Sequence, residues 1–287
     1  MQCRVVVVIV TPCCCDDTTE SPMIVVVGME CLLTASFVHT LCVSGQKPAA
    51  VIVADRTRGT FDRVPHRLPI MVQDGRVDDT AHRFDIPLYR VCDWRTVPDT
   101  FLMQFHTIVV ACYPTLLPAQ RFAQLGIRAW NVHPAPLPAV RGPDPLFYTA
   151  RGDAPATITI HELDATYDTG AIIAASAVPL PSGCTELQSI RIHATHAAQL
   201  YADVASSVQV GVPQQPATDT CWAAFPTSDA YTLQPDWPME RTLRFVALTN
   251  ARRHAYWVPK TRQWVRTIDP AGTVQVQCAD GVFRASL

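Results

Sequence analysis

Between Met23 and Val132 the chain repeats one pattern, a short run of apolar residues followed by a stretch with helical spacing. The apolar runs are Met23–Gly28, Ala50–Ala54, Ile86–Val91, His106–Cys112 and Ile127–Val132. A strand that is apolar along its length is buried on both faces, which is the situation of a parallel sheet covered by helices on both sides. Parallel neighbours also need a crossover of about a dozen residues, most simply a helix. The pattern therefore predicts an α/β protein with an open, mostly parallel, Rossmann-like sheet.

The remaining segments fit around that sheet. Residues 1–22 read as an N-terminal appendage, and the regular pattern begins at 23. Asp55–Asp85 reads as a long irregular loop carrying Arg56, Arg58, Arg63, His66 and Arg67, of a length that is usually functional or disordered. Ala156–Leu163 and Ala171–Leu180 are close enough to form an antiparallel pair that closes the sheet. Leu187, Ile190, Ala194, Ala197, Tyr201, Val204 and Val208 lay one apolar stripe along a helix. His193 and His196 flank that stripe and read as surface histidines, since no third ligand completes a metal site. Gly211–Thr220, with two prolines, reads as a linker, and 221–287 as a small C-terminal α+β or barrel-like domain. The main domain accordingly spans 23–210.

Composition narrows the class. With 48% hydrophobic and 17% charged residues and a net charge of −2, the chain has no overall basic field of the kind nucleic-acid binders carry. The run Val5–Val10 is too short to cross a bilayer, which takes roughly 20 residues, and no cleavage site follows it. No membrane association is expected. Eleven cysteines without a C-x-x-C pair, three of them adjacent at Cys13–Cys15, read as free thiols of a reducing, cytoplasmic compartment.

Open parallel sheets bind ligands beyond the carboxyl ends of their strands. The first such end, Gly28-Met29-Glu30, lacks the G-x-G-x-x-G turn of a dinucleotide site. A later one carries Asn131-Val132-His133. Residues two apart in a strand point the same way, so an amide donor and an imidazole share one face, an arrangement suited to an oxyanion forming at a carbonyl carbon. Pro134, Pro136, Pro138 and Pro143 follow in a stiff loop, and Asp168 lies in the turn between the two antiparallel strands. Taken alone, N-x-H at a strand end and an aspartate before Thr-Gly are each more often ordinary structure than catalysis.

The segment NVHPAPLPAVRGPDPLFYTARG, followed by ATITIHELDATYDTGAIIA, resembles the core signature of the folate-dependent formyltransferases: N-x-H, a leucine/proline turn, and an aspartate in D-T-G after an alternating strand. The resemblance covers about residues 23–210, and the tail is similar to a shortened form of the tRNA enzyme's C-terminal domain. It implies the formyltransferase fold and transfer of a formyl group from 10-formyltetrahydrofolate to a primary amine. Asn131 would donate to the formyl oxygen, His133 would stabilise the tetrahedral oxyanion and handle a proton, and Asp168 would orient His133 and favour its charged form. Thr115, Leu116, Leu117, Pro136, Leu137, Pro138, Leu163, Asp164 and Tyr167 would line the pterin of the carrier, with no metal. The acceptor would be a sugar nucleotide, an amino acid or methionyl-tRNA; the turn GMECLLTASF after the first strand departs from the tRNA enzyme and weighs toward a small amine. Two alternatives keep part of this picture, a 10-formyltetrahydrofolate hydrolase with water as acceptor and a silent folate or nucleotide-sugar binding module.

Overall fold

The computed structural model describes residues 23–55, 62–63, 76–205, 211–214, 220–252 and 254–287. The readings made for 1–22 and for most of the basic 55–85 segment fall outside these residues. In chain order the larger elements are β1 (Ile24–Gly28), α1 (Leu32–Val43), β2 (Ala50–Ala54), β3 (Asp62–Arg63), α2 (Val77–Arg83), β4 (Leu88–Val91), α3 (Asp99–Leu102) and β5 (Thr107–Ala111). They continue with α4 (Ala119–Gln124), β6 (Arg128–His133), β7 (Val140–Arg141), α5 (Pro145–Arg151), β8 (Thr157–Glu162), β9 (Ile172–Ala177) and α6 (Glu186–Ala205). The C-terminal part holds β10 (Cys221–Trp222), α7 (Met239–Ala247), β11 (Tyr256–Val258), β12 (Gln263–Val265), β13 (Thr267–Ile268), β14 (Val274–Cys278) and β15 (Gly281–Ser286).

Eight strands form the main sheet in the order β3-β4-β2-β1-β5-β6-β8-β9. The pairs linking β4, β2, β1, β5 and β6 are parallel, and β8 and β9 add an antiparallel hairpin at one side. The chain builds outward from β1 to β2 and β4, then returns to place β5 on the other side of β1. That reversal is the switch point of an open α/β sheet. Strand side chains alternate between two apolar layers. Val26, Val51, Val53, Val109 and Val132 pack with Phe37 and Leu41 of α1 and Tyr201 of α6. Val25, Val27, Ile52, Ile108 and Val110 pack with Leu102 of α3 and Phe122 of α4. Continuous apolarity in these strands thus reflects burial on both faces, as expected from the sequence.

The C-terminal part is α+β: a hairpin of β11 and β12, a three-stranded β13-β15-β14 sheet, and α7. Its core of Tyr231, Trp237, Phe245, Tyr256 and Val276 also takes in Phe147 and Ala150 of α5. Arg252 fastens it further, pairing with Asp144 through two nitrogens and with Glu186 at 2.7 Å. Among the described residues no helix is long and apolar enough to cross a membrane.

Three expectations change. Part of the presumed loop at 55–85 is the helix α2, whose first amide, Val77 N–H, donates to Glu30 Oε1 at 2.6 Å, a cap supplied from 47 residues away. His193 is not on the surface but fully buried, its Nδ1 against the Ser189 carbonyl at 2.8 Å, whereas Leu187 of the apolar stripe is exposed. The first residues of the presumed linker lie on the sheet: Val212 and Ile172 exchange backbone hydrogen bonds at 2.8 Å.

Candidate active site

The site begins with alternation in two neighbouring strands. In β6, Trp130 and Val132 enter the core, with Trp130 edge-on to Tyr201 at 6.1 Å, which sends Asn131 and His133 to the opposite face. In β8, Ile158 and Ile160 are fully buried in that same core, leaving Thr159 and His161 on the other side. The antiparallel register pairs Asn131 with His161 and His133 with Thr159. Four polar side chains therefore meet at the rim of the sheet. Thr159 ties in the proline loop, its hydroxyl donating to Ala135 O at 2.7 Å and accepting from Leu137 N–H at 3.3 Å.

Asp168 arrives from the turn between β8 and β9 and reaches this group. Its Oδ1 lies 3.4 Å from Asn131 Nδ2, 3.6 Å from His133 Nδ1 and 3.6 Å from His161 Nε2. Its Oδ2 accepts the Gly142 N–H at 2.8 Å. Two glycines permit the close approaches around this carboxylate, Gly142 beyond β7 and Gly170 in the turn itself. Gly142 has φ +117 and sits where a Cβ would press on the Ala223 backbone at 3.0 Å, and a Cβ on Gly170 would collide with the Glu162 carbonyl. Asp168 itself takes φ +56, a left-handed conformation that aspartate tolerates better than most residues. Gln214 Nε2 donates to Asp168 O at 3.1 Å and Gly170 O at 2.7 Å, and Gln214 Oε1 accepts from Arg141 at 2.8 Å.

Carbonyl acceptors set the tautomers. Val140 O can only accept, so His133 Nε2, 2.9 Å away, carries the proton. Glu162 O does the same for His161 Nδ1 at 2.7 Å. Two bare imidazole nitrogens, His133 Nδ1 and His161 Nε2, then converge on one carboxylate oxygen, and His161 Nε2 accepts from the Asn131 amide at 3.0 Å. Burial lowers the His133 pKa below its ordinary 6.5 and outweighs the upward pull of Asp168. Asp168 does pull the ring toward its charged form, but burial is the larger effect and the resting ring is neutral. Burial pushes Asp168 up, but the His161 contact, His133 and the Gly142 amide together outweigh it, and the carboxyl ends below its ordinary value. With His133 neutral, the Gly142 amide at 2.8 Å is the firm donor that holds the carboxylate ionised.

His161 is the residue that sequence reasoning missed. Its signal was present, since the alternation that buried Ile158 and Ile160 put residue 161 on the face of Asn131. The residues expected around a flat carrier ring are more dispersed. Thr115, Leu116 and Leu117 line a shallow recess of about 510 Å³ with Pro118 and the segment Cys92–Arg95, and none of Asn131, His133 and Asp168 lines it. Leu117 and Leu163 are partly buried against the same apolar layer. Leu137 is buried, Pro136 and Pro138 half-buried, and Asp164 is exposed in the turn, accepting its neighbour Ala165 N–H at 2.6 Å. Tyr167 is also exposed and faces Trp222 at 6.3 Å, a contact across the chain that no sequence spacing signals.

Known proteins resemble this chain at two levels, sequence and fold. A family model described as formyl transferase matches residues 100–204, the stretch that contains Asn131, His133, His161 and Asp168. Over that stretch, about a third of its length, the chain is similar to the formyltransferase family. It is 30% identical over 114 residues to methionyl-tRNA formyltransferase of Latilactobacillus sakei, covering 38% of this chain and 36% of that protein. It is 31% identical over 147 residues to the mitochondrial methionyl-tRNA formyltransferase of Bos taurus, covering 49% of this chain and 36% of that one. The match thus spans about a third of these curated relatives. The fold extends further: an N-formyltransferase of Helicobacter canadensis, solved with folinic acid and dTDP-3-aminofucose, superposes over 92% of this chain and 99% of its own, with TM-score 0.60 and 10% identity.

Proposed function

We propose that this chain transfers the formyl group of 10-formyltetrahydrofolate to a primary amine. The observation that carries the reading is the meeting at the rim of the sheet of an amide and two imidazoles, each within 3.6 Å of one carboxylate oxygen of Asp168. The carrier supplies a formyl group whose carbon is open to attack by an amine. Every other requirement falls to side chains. Asn131 keeps one amide N–H on His161 Nε2 and turns the other, which makes only a long 3.4 Å contact to Asp168 at rest, toward the formyl oxygen, where a preorganised donor contributes about 3–4 kcal/mol once negative charge develops. His133 Nδ1, bare and beside a carboxylate, takes the proton that the attacking amine must lose. Asp168 then stabilises the imidazolium, so a ring that is neutral at rest becomes a competent base at the moment of reaction. His161 holds the Asn131 amide in place.

The acceptor follows from two kinds of likeness. The sequence relatives are methionyl-tRNA formyltransferases, and they support an aminoacyl-tRNA amine. The structural neighbour with an amino sugar is similar in fold alone. Turnover of 10-formyltetrahydrofolate with methionyl-tRNA and with a panel of amino sugars and amino acids tests the reading, product being identified by mass. Transfer to any of these amines is expected, with His133→Ala abolishing turnover while carrier binding survives. A folded protein that turns over no amine in the panel overturns it. Salt separates the acceptors, because tRNA phosphate contacts release counterions and affinity then falls steeply with ionic strength.

A further inference from the structure

The switch point between β1 and β5 is occupied by two cysteines. β1 ends at Gly28, and Cys31 caps α1 with extended backbone at φ −150. β5 ends at Ala111, the register partner of Gly28, and the next residue is Cys112, held at φ +63 where side chains other than glycine are strained. Thr34 bridges the two ends: its hydroxyl donates to Ala111 O at 2.7 Å and lies 3.3 Å from Cys31 Sγ. The Cys31 and Cys112 thiols interact directly, Cys31 is partly accessible, and Cys112 is exposed.

We propose that Cys31 and Cys112 form an oxidisable dithiol site whose co-substrate is a low-molecular-weight disulfide. The two sulfurs have distinct roles. The Cys112 thiol, the Thr34 hydroxyl and the backbone amides of Thr34 and Leu33 stabilise a Cys31 thiolate and hold it at about 6 despite partial burial. Cys112 moves the opposite way, raised chiefly by its bond to Cys31. Cys31 is therefore the nucleophile and Cys112 the resolving thiol. The Cys31 thiolate attacks one sulfur of the small disulfide; that S–S bond breaks and a thiolate leaves. Cys112 gives its proton to the departing thiolate and attacks the Cys31 sulfur of the mixed disulfide, releasing the second small thiol. The protein loses two hydrogens and the small disulfide is reduced to two thiols. Cys42 offers an internal contrast, its thiol pushed up to about 11 by burial.

The site is independent of the formyl-transfer reading, and its test needs no turnover. The reduced full chain is treated with oxidised glutathione at pH 6 and pH 7, quenched with acid, and digested without reductant for mass mapping. The expected product is a joined peptide linking Cys31 to Cys112, lighter by two hydrogens and cleaved by dithiothreitol. At pH 6 half of a thiol held at about 6 is thiolate, against about one part in a thousand at the ordinary 9.0. Lower nucleophilicity of the more acidic thiol returns a factor of about 20 to 30, so Cys31 should react about 20-fold faster than an ordinary thiol. Cys112→Ser should stop at a glutathione adduct on Cys31, and Cys31→Ser should leave Cys112 unmodified. Iodoacetamide labelling of the unaltered protein against pH gives the same ordering without a variant. Glutathione adducts on Cys92 with no joined peptide, or Cys31 labelling no faster than Cys42 at pH 6, would overturn the proposal.

Discussion

Replacing Asp168 with Asn removes one charge while keeping the shape of the turn. Gly142 N–H requires an oxygen, so the carboxamide must keep its oxygen at that amide, 2.8 Å away in the present structure, and turn its NH2 toward the site. That NH2 then faces the bare His133 Nδ1, 3.6 Å from the atom it replaces, as a donor. A neutral His133 becomes the preferred state, and the imidazolium loses its counter-charge. At 3.6 Å and an effective dielectric near 20 the lost attraction is about 4–5 kcal/mol, or about 10³-fold in rate. The assay is steady-state formyl transfer with saturating 10-formyltetrahydrofolate, alongside circular dichroism and thermal unfolding. A kcat about 10³-fold lower is expected, with KM for the carrier within a few-fold and a Tm near that of the parent. A variant with near-parental kcat and intact fold would show that the carboxylate does not charge the base, and the proposed division of roles would fail.

Four further outcomes follow from the same geometry. Asn131→Ala should lower kcat by about 10²–10³-fold and leave carrier binding measurable by fluorescence or calorimetry, since only a donor to developing charge is removed. His133 and His193 are both buried with lowered pKa, so the unfolded chain binds protons that the native one refuses. Stability conferred by these neutral rings is complete above 6.5 and is lost as pH falls below it; a Tm unchanged between pH 7.5 and 5.5 would contradict this. Gln214→Ala removes two bonds to the Asp168 turn and one to Arg141, at about 1–3 kcal/mol by urea unfolding, with a loss of kcat if the turn loosens. Arg252→Ala leaves the carboxylates of Asp144 and Glu186, 14% and 10% exposed, without their cation, and should cost about 3–5 kcal/mol in the same measurement.

What was legible in the sequence follows the physics that each element depends on. Strands buried on both faces announce themselves locally, and β1, β2, β5 and β6 fall within a residue or two of their apolar runs. The rim pair Asn131 and His133 needed only the period of a strand. Asp168 needed a hairpin in addition, and the spacing of the two alternating segments supplied it. Features that rest on distant partners were not readable. α2 is started by a carboxylate from the β1–α1 turn. His193 is buried because α6 lies against the sheet, and a helical pattern gives the face a residue occupies only when the stripe is unambiguous. The charge state of His133 is likewise a tertiary property, the outcome of burial against one carboxylate.

The antiparallel hairpin explains why this chemistry sits beside the switch point of the sheet and not at it. A parallel strand end presents side chains from one strand at a time, and its neighbour in space begins a helix a few residues later. β8 runs against β6, so the residue opposite Asn131 is still within a strand, and the turn after it folds back over the same rim. That reversal lets one carboxylate face Asn131, His133 and His161 together. It also demands a turn too tight for a side chain at Gly170, where a Cβ would collide with the Glu162 carbonyl. Gly170→Ala should therefore displace Asp168 along with the turn: activity would fall with little change in far-ultraviolet circular dichroism, because the sheet core does not depend on it. Retained activity in that variant would mean the turn can be rebuilt without its glycine, and that the carboxylate's position is less tightly dictated than the contacts around it require.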